Sequence, residues 1–170
     1  MVSTRSIRTA FGALAFLGFP FGRFRSRTSC TPVFTELSPE DSARLEDQRA
    51  VVANAAKQLY GADTLTGTIG DLHILQKLVD DKVFSKSQTY ALQCLGVVFG
   101  DVLSSQLQLK WAMITDEYGT DPTLRFKDSS LNVNALTMIS KRVERDEAVD
   151  LSKLLQMTRE QLRAYEESSC

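Results

Sequence analysis

The chain has 170 residues, of which 43% are hydrophobic and 24% charged, a composition typical of one globular domain with a substantial core. The net charge of -1 hides an asymmetry, because residues 1–37 hold five arginines and one glutamate, whereas the remainder holds 15 bases and 20 acids. This mildly acidic remainder argues against a nucleic-acid-binding domain, which needs a basic surface. The three cysteines lack metal-ligand spacing, and neither a metal nor another cofactor is predicted.

Residues 1–35 are predicted to be a basic, apolar leader that is either disordered or a targeting segment. Its apolar run at 10–21 has the size of a signal-peptide core and is too short to span a bilayer as a helix. Three arginines follow the run, however, and no small-x-small cleavage site is present. An export signal, a transit-like leader and a mistaken start codon all remain open. We expect a disordered tail at 22–35, no integral membrane span, and a cytoplasmic location in preference to export.

Two helices are predicted next. The sequence SPED beginning at Ser38 combines a cap, a proline in the first turn and acids near the helix dipole, so a helix should run to about Tyr60. Gly61 is placed to end it. After a loop, the capping pattern at Thr68 predicts a short helix over 69–80.

The longest apolar run, 85–107, is predicted to be a central and mostly buried helix, because its apolar residues cannot all face one way. Ser85 and Gln88 form a capping-box pattern at its start. Gly96 and Gly100 lie four residues apart and therefore on one face. Their missing side chains should leave a groove for another backbone or an aromatic ring.

Beyond this helix the apolar period changes from helical to alternating. Alternation over 109–114 and again over 123–127, on either side of the turn-rich DEYGTDP, predicts an antiparallel hairpin. Residues 131–133 could add a third short strand. Asn134 is predicted to cap a helix that ends near residue 145, and Asp150 to cap a final helix.

The predicted fold class is therefore α+β, with three N-terminal helices, a hairpin or three-stranded antiparallel sheet, and two C-terminal helices. The domain should occupy residues 36–166 and be followed by a disordered tail at 167–170.

Two stretches, 95–124 and 134–154, resemble the bacterial domain-of-unknown-function family catalogued as number 3806. The resemblance covers about 37–162 and includes the paired glycines, the tryptophan, the DEYG turn and the later charged run. Two places depart from the family pattern, since Asp101 stands where glutamate is expected and Asn134-Ala135 where a proline-aromatic helix start is expected. The resemblance implies a fold and no activity, so it carries over no catalytic residues.

Asp101 is a candidate functional acid, because it is a carboxylate embedded in the most apolar helix. A buried carboxylate must be neutral, paired or liganded. Lys141 and Arg142 are its expected partners, and a purely structural ion pair is the alternative to a functional role.

The acids Asp116, Glu117 and Asp121 surround a turn and could hold a hard cation, although their spacing does not match an EF-hand and acidic turns are common for conformational reasons. Trp111 and Tyr118 could flank this turn as aromatic walls, but Trp111 could equally be core.

His73 is the only histidine, which leaves no histidine-rich zinc site and allows only a remote pairing with Cys94, predicted to be buried. The chain contains no P-loop, no nucleophile elbow and no dinucleotide-binding fingerprint.

We interpret the chain as a non-catalytic, inhibitor-like or accessory module that binds an unidentified protein. Its binding surface is predicted to contain these side chains: Trp111, Asp116, Glu117, Tyr118, Lys141, Arg142 and Glu144. The alternative is a small enzyme in which Asp101 or Glu117 is the general acid or base and Lys141 or Arg142 binds an anionic substrate. An enzyme requires these groups to converge on one cleft, whereas a binding module does not.

Overall fold

The computed structural model describes residues 31–62 and 64–169. The apolar run at 10–21 and two of the three cysteines, Cys30 and Cys170, fall outside these residues. The elements follow in this order: β1 (Val33–Thr35), α1 (Pro39–Tyr60), a 3-10 helix (Ile69–Asp71), α2 (Leu72–Asp80), α3 (Thr89–Leu107), β2 (Leu109–Asp116), β3 (Gly119–Phe126), β4 (Asn132–Val133), α4 (Leu136–Glu144) and α5 (Leu151–Ser169).

The α+β class is confirmed, but the sheet has four antiparallel strands in the order β1-β2-β3-β4 instead of the predicted two or three. The additional strand is β1, which pairs Val33 with Thr115 and lies inside the segment expected to be a disordered tail. Three residues are too few for a periodic pattern to reveal a strand, and this one is stabilised by pairing with β2, some 80 residues later in the chain.

Helix α1 forms as its capping residues predict. The Asp41 amide donates to the Ser38 hydroxyl at 3.1 Å, and the Ser38 amide donates back to the Asp41 carboxylate at 3.3 Å. The Ser38 hydroxyl also donates to the Asp41 carboxylate at 2.7 Å, and this bond is the main cause that lowers the pKa of Asp41. At the other end Gly61 adopts a left-handed conformation with φ 65°, which ends the helix.

Helix α3 is central, as predicted, and its residues 94–100 are all buried. It packs against α1, α4 and β2. It begins at Thr89, four residues later than predicted. The Ser85 amide does donate to the Gln88 side chain at 2.8 Å, but this bond closes a turn that precedes the helix.

The hairpin is tighter than predicted. Asp116 pairs directly with Gly119, so only two residues form the turn, and β3 begins four residues earlier than the alternation suggested. Pro122 is tolerated in β3 because β4 pairs only with residues 124 and 125, which leaves the proline on an unpaired stretch of the strand edge.

One face of the sheet contributes Leu109, Leu124 and Phe126 to the core shared with the helices. On the opposite face, the Arg125 guanidinium lies 4.8 Å from the centre of the Phe34 ring and donates to the backbone carbonyls of Asp128 and Ser129. This stack spans β2 and ties the edge strand to the β3–β4 turn.

The capping prediction is confirmed for one of the two last helices and is wrong for the other. Asp150 caps α5, since its carboxylate accepts from the Lys153 amide at 2.9 Å. Asn134 does not cap α4, which starts at Leu136 after Ala135 in the capping position, with no side-chain cap bond. Helix α5 continues to Ser169, so the tail predicted at 167–170 is helical over its described residues.

Candidate functional site

The two glycines of α3 make room for two close contacts. A side chain added at Gly96 would place its Cβ 2.5 Å from the Leu136 carbonyl oxygen, and one added at Gly100 would place it 2.5 Å from the Trp111 ring. The predicted groove is therefore confirmed, and it receives a backbone at one glycine and a ring at the other. These contacts seat α4 and β2 on α3.

Asp101 follows this groove and is held by side chains from two other elements. The Arg49 guanidinium donates to it twice, from Nε to Oδ2 at 2.7 Å and from Nη2 to Oδ1 at 2.8 Å. The indole Nε1 of Trp111 donates to Oδ1 at 2.8 Å. Asp101, Arg49 and Trp111 form a cluster, called here the Asp101 cluster, that joins α1, α3 and β2.

The expected pairing of Asp101 with Lys141 or Arg142 is wrong, because Arg49 occupies that role. A sequence signal for Arg49 does exist. It lies four residues after Leu45 and three before Val52, both fully buried, so a single cation interrupts the core stripe of α1. Such a position requires a buried or half-buried counter-charge, and Asp101 is the acid that α3 presents.

The Asp101 cluster is only partly shielded from water. The side chains of Arg49 and Asp101 are 29% and 18% exposed. Hydrogen bonding to Asp101 raises the pKa of Arg49, and Glu46 adds a weaker contact at 3.2 Å. Because both carboxylate oxygens of Asp101 already accept hydrogen bonds, the chemistry that this arrangement supports is orientation of the three elements.

The loop before α2 covers Asp101 from another side. A Cβ added at Gly67 would lie 3.1 Å from the Cβ of Asp101. The loop is held by Asp71, which is 7% exposed and accepts from the amides of Thr66 and Gly67 at 2.8 and 2.6 Å. The capping predicted for Thr68 is wrong, since its side chain makes no cap bond.

The β2–β3 turn presents Glu117 and Tyr118 to solvent. The Asp116 carboxylate accepts the Tyr118 amide at 2.8 Å, which stabilises the turn, and Tyr118 is 80% exposed. Trp111 lies six residues before Glu117 in an extended strand, so about 20 Å separates the turn from the Asp101 cluster.

The charged run at the end of α4 packs near the start of α3. The Thr89 hydroxyl donates to Glu144 at 2.9 Å, and Lys86 pairs with Asp146 at 3.0 Å. Arg142 is half-buried and donates to the Met138 carbonyl at 2.6 Å, and burial lowers the pKa of its guanidinium. Thr89 precedes Asp101 by twelve residues, which corresponds to about 18 Å of helix.

The residues predicted as candidate catalytic or binding groups are thus divided between two regions. Asp101 and Trp111 are brought together in the middle of the fold. β2 runs back along α3, since Leu109 and Trp111 contact Ser104 and Gly100. α4 does the same, since Leu136 at its start lies against Gly96 and Glu144 at its end accepts from Thr89. Their far ends therefore point toward the start of α3, and these ends carry the remaining predicted residues: Asp116, Glu117, Tyr118, Lys141, Arg142 and Glu144.

Cys94 is fully buried in α3, as predicted, and burial raises the pKa of its thiol. His73 is exposed on α2. Within residues 31–62 and 64–169, no three histidine, cysteine, aspartate or glutamate side chains group together as metal ligands would. No helix in this part of the chain is long and apolar enough to cross a membrane.

These features define an α+β protein in which α3, with two glycines on one face, is packed between an antiparallel sheet and flanking helices. A solved structure from Bacteroides thetaiotaomicron VPI-5482 is similar, with a TM-score of 0.67 and 14% identity over 75% of this chain and 47% of that chain. At this identity the likeness shows the fold alone, and the chain spans about half the length of that protein. No curated protein matches the chain.

Residues 71–154 match the family described as Domain of unknown function (DUF3806). This match confirms the resemblance that the paired glycines, tryptophan and DEYG turn indicated. The matched segment contains Asp101 and Trp111 but not Arg49, so the third member of the Asp101 cluster comes from outside it.

Proposed function

We propose that this chain is a non-catalytic, inhibitor-like or accessory module that binds another protein. Its binding surface comprises the β2–β3 turn and the charged end of α4, and is called here the turn surface. The observation that carries the proposal is the exposure of Tyr118, which at 80% is the largest among the exposed apolar side chains of the described residues.

The chemistry of the turn suits protein recognition. A tyrosine offers a large apolar ring with a polar tip at a low cost in conformational entropy, and it is enriched in protein interfaces. The acids Asp116 and Glu117 directly precede it, and charges at the edge of an interface select partners and accelerate association. Because the turn has only two residues and an internal Asp116 bond, the ring projects from a rigid support.

The Asp101 cluster has a structural role in this proposal, whereas the turn surface makes the contact with the partner. Its three side chains bind one another, so they hold α1, α3 and β2 together behind the turn surface. Six extended residues, or about 20 Å, lie between Trp111 of this cluster and Glu117, so the spacing does not favour an enzyme in which Asp101 and Glu117 share one cleft.

The proposal is tested by using the full chain to capture partners from the native host's lysate and measuring the affinity of any purified partner. Tyr118→Ala should weaken binding about 30-fold, the loss of roughly 2 kcal/mol typical of an aromatic anchor. Lys141→Ala should weaken it less and mainly slow association.

Two control variants keep the test specific. Leu59→Ala removes another apolar side chain, 55% exposed, at the end of α1, and Lys153→Ala removes an exposed lysine of α5. Both controls should bind like the unaltered protein. The proposal fails if the folded chain captures no stoichiometric protein, or if Tyr118→Ala binds as tightly as Leu59→Ala.

A further inference from the structure

We draw no further inference here: the strongest candidate, the acidic β2–β3 turn with exposed Tyr118 and with Val33 on the neighbouring edge strand, belongs to the turn surface already proposed, and nothing in the structure shows what covers it.

Discussion

At the scale of single residues, Arg49 and Asp101 form a charged pair joined by two hydrogen bonds. The guanidinium presents two parallel donors to the two carboxylate oxygens, and the Trp111 indole adds a third bond. Bidentate geometry and partial burial distinguish this pair from exposed surface pairs, which contribute little to stability. The Asp101 cluster should therefore contribute measurably to the free energy of unfolding.

Arg49→Met should lower the free energy of unfolding by about 1–3 kcal/mol, because the partly buried Asp101 carboxylate would lose two of its three hydrogen-bond donors. Urea unfolding followed by Trp111 fluorescence measures the change. Glu46→Ala is the matched control. Its carboxylate also contacts Arg49 but is 76% exposed, and its loss should cost less than about 0.5 kcal/mol. Equal costs for the two variants would show that the Asp101 pair behaves as an ordinary surface pair.

Tyr60 provides a prediction for alkaline pH. Its hydroxyl donates to Asp81 at 2.6 Å, and this bond to a carboxylate raises the pKa of Tyr60 to about 12. The folded protein thus favours the neutral phenol. The resulting stabilisation is complete below the usual pKa near 10 and is lost as the pH rises from about 10 to about 12.

Tyrosinate absorbance, taken as the difference between the unaltered protein and Tyr60→Phe, should therefore titrate near pH 12. In Asp81→Asn the same difference should move toward the usual value, because an amide does not oppose ionisation as a carboxylate does. A Tyr60 difference that already titrates near pH 10 in the unaltered protein would contradict the hydrogen bond.

At the scale of elements, the packing of α4 on α3 depends on Gly96. Alanine is the better helix former by about 1 kcal/mol, so helix propensity alone would predict stabilisation by Gly96→Ala. The added Cβ would instead meet two backbone carbonyl oxygens, of Ala135 and Leu136, at 2.6 and 2.5 Å. A backbone cannot rotate away as a side chain can. The clash should therefore outweigh the gain in helix propensity, and the substitution should destabilise the protein.

Gly96→Ala should consequently lower the free energy of unfolding by about 1–3 kcal/mol, the usual cost of overpacking. Thermal unfolding followed by circular dichroism measures this. Gly70→Ala is the control, since its added Cβ would meet only the Thr68 hydroxyl at an ordinary 3.6 Å. A Gly96→Ala protein as stable as the Gly70→Ala protein would mean that α4 can shift without cost.

At the scale of the whole molecule, the hydrophobic core extends beyond the family segment 71–154. Helix α1 lies outside that segment and buries Leu45, Val52 and Ala56 completely, and α5 continues beyond it with the buried Leu162. Without these helices, α3 would expose to water the face that packs on α1, at a cost of roughly 25 cal/mol per Å² of apolar surface.

A fragment of residues 71–154 should therefore unfold without a cooperative transition, whereas residues 31–170 should melt cooperatively. Circular dichroism melts and amide proton dispersion distinguish the two. Residues 31–154, which restore α1 but not the rest of α5, should give intermediate stability. A cooperative melt of the 71–154 fragment would show that α1 is an accessory to the core and not part of it.

Much of the fold was predictable because its signals are local. The cap at Ser38, the stop at Gly61, the glycine pair of α3 and the cap at Asp150 each act within one or two helical turns, and each was confirmed. One error occurred where a distant contact overrides the local pattern. Asn134 lost its capping role because the chain there packs onto Gly96.

The candidate site was likewise predictable from the sequence only in part. The DEYG turn was identified from sequence because a hairpin turn has its own residue chemistry, and so was the need of Asp101 for a partner. Whether the turn surface binds a protein stays a prediction.

The local pattern of residues was sufficient to specify the α+β class, the central helix, the hairpin and the unusual position of Asp101, since helix periodicity, strand alternation and capping depend on near neighbours. Tertiary structure alone decided that Arg49, 52 residues away, meets Asp101. It also decided that β2 and α4 both run back along α3. Those outcomes follow from how helices and sheet cross, and a crossing depends on side chains from several elements at once.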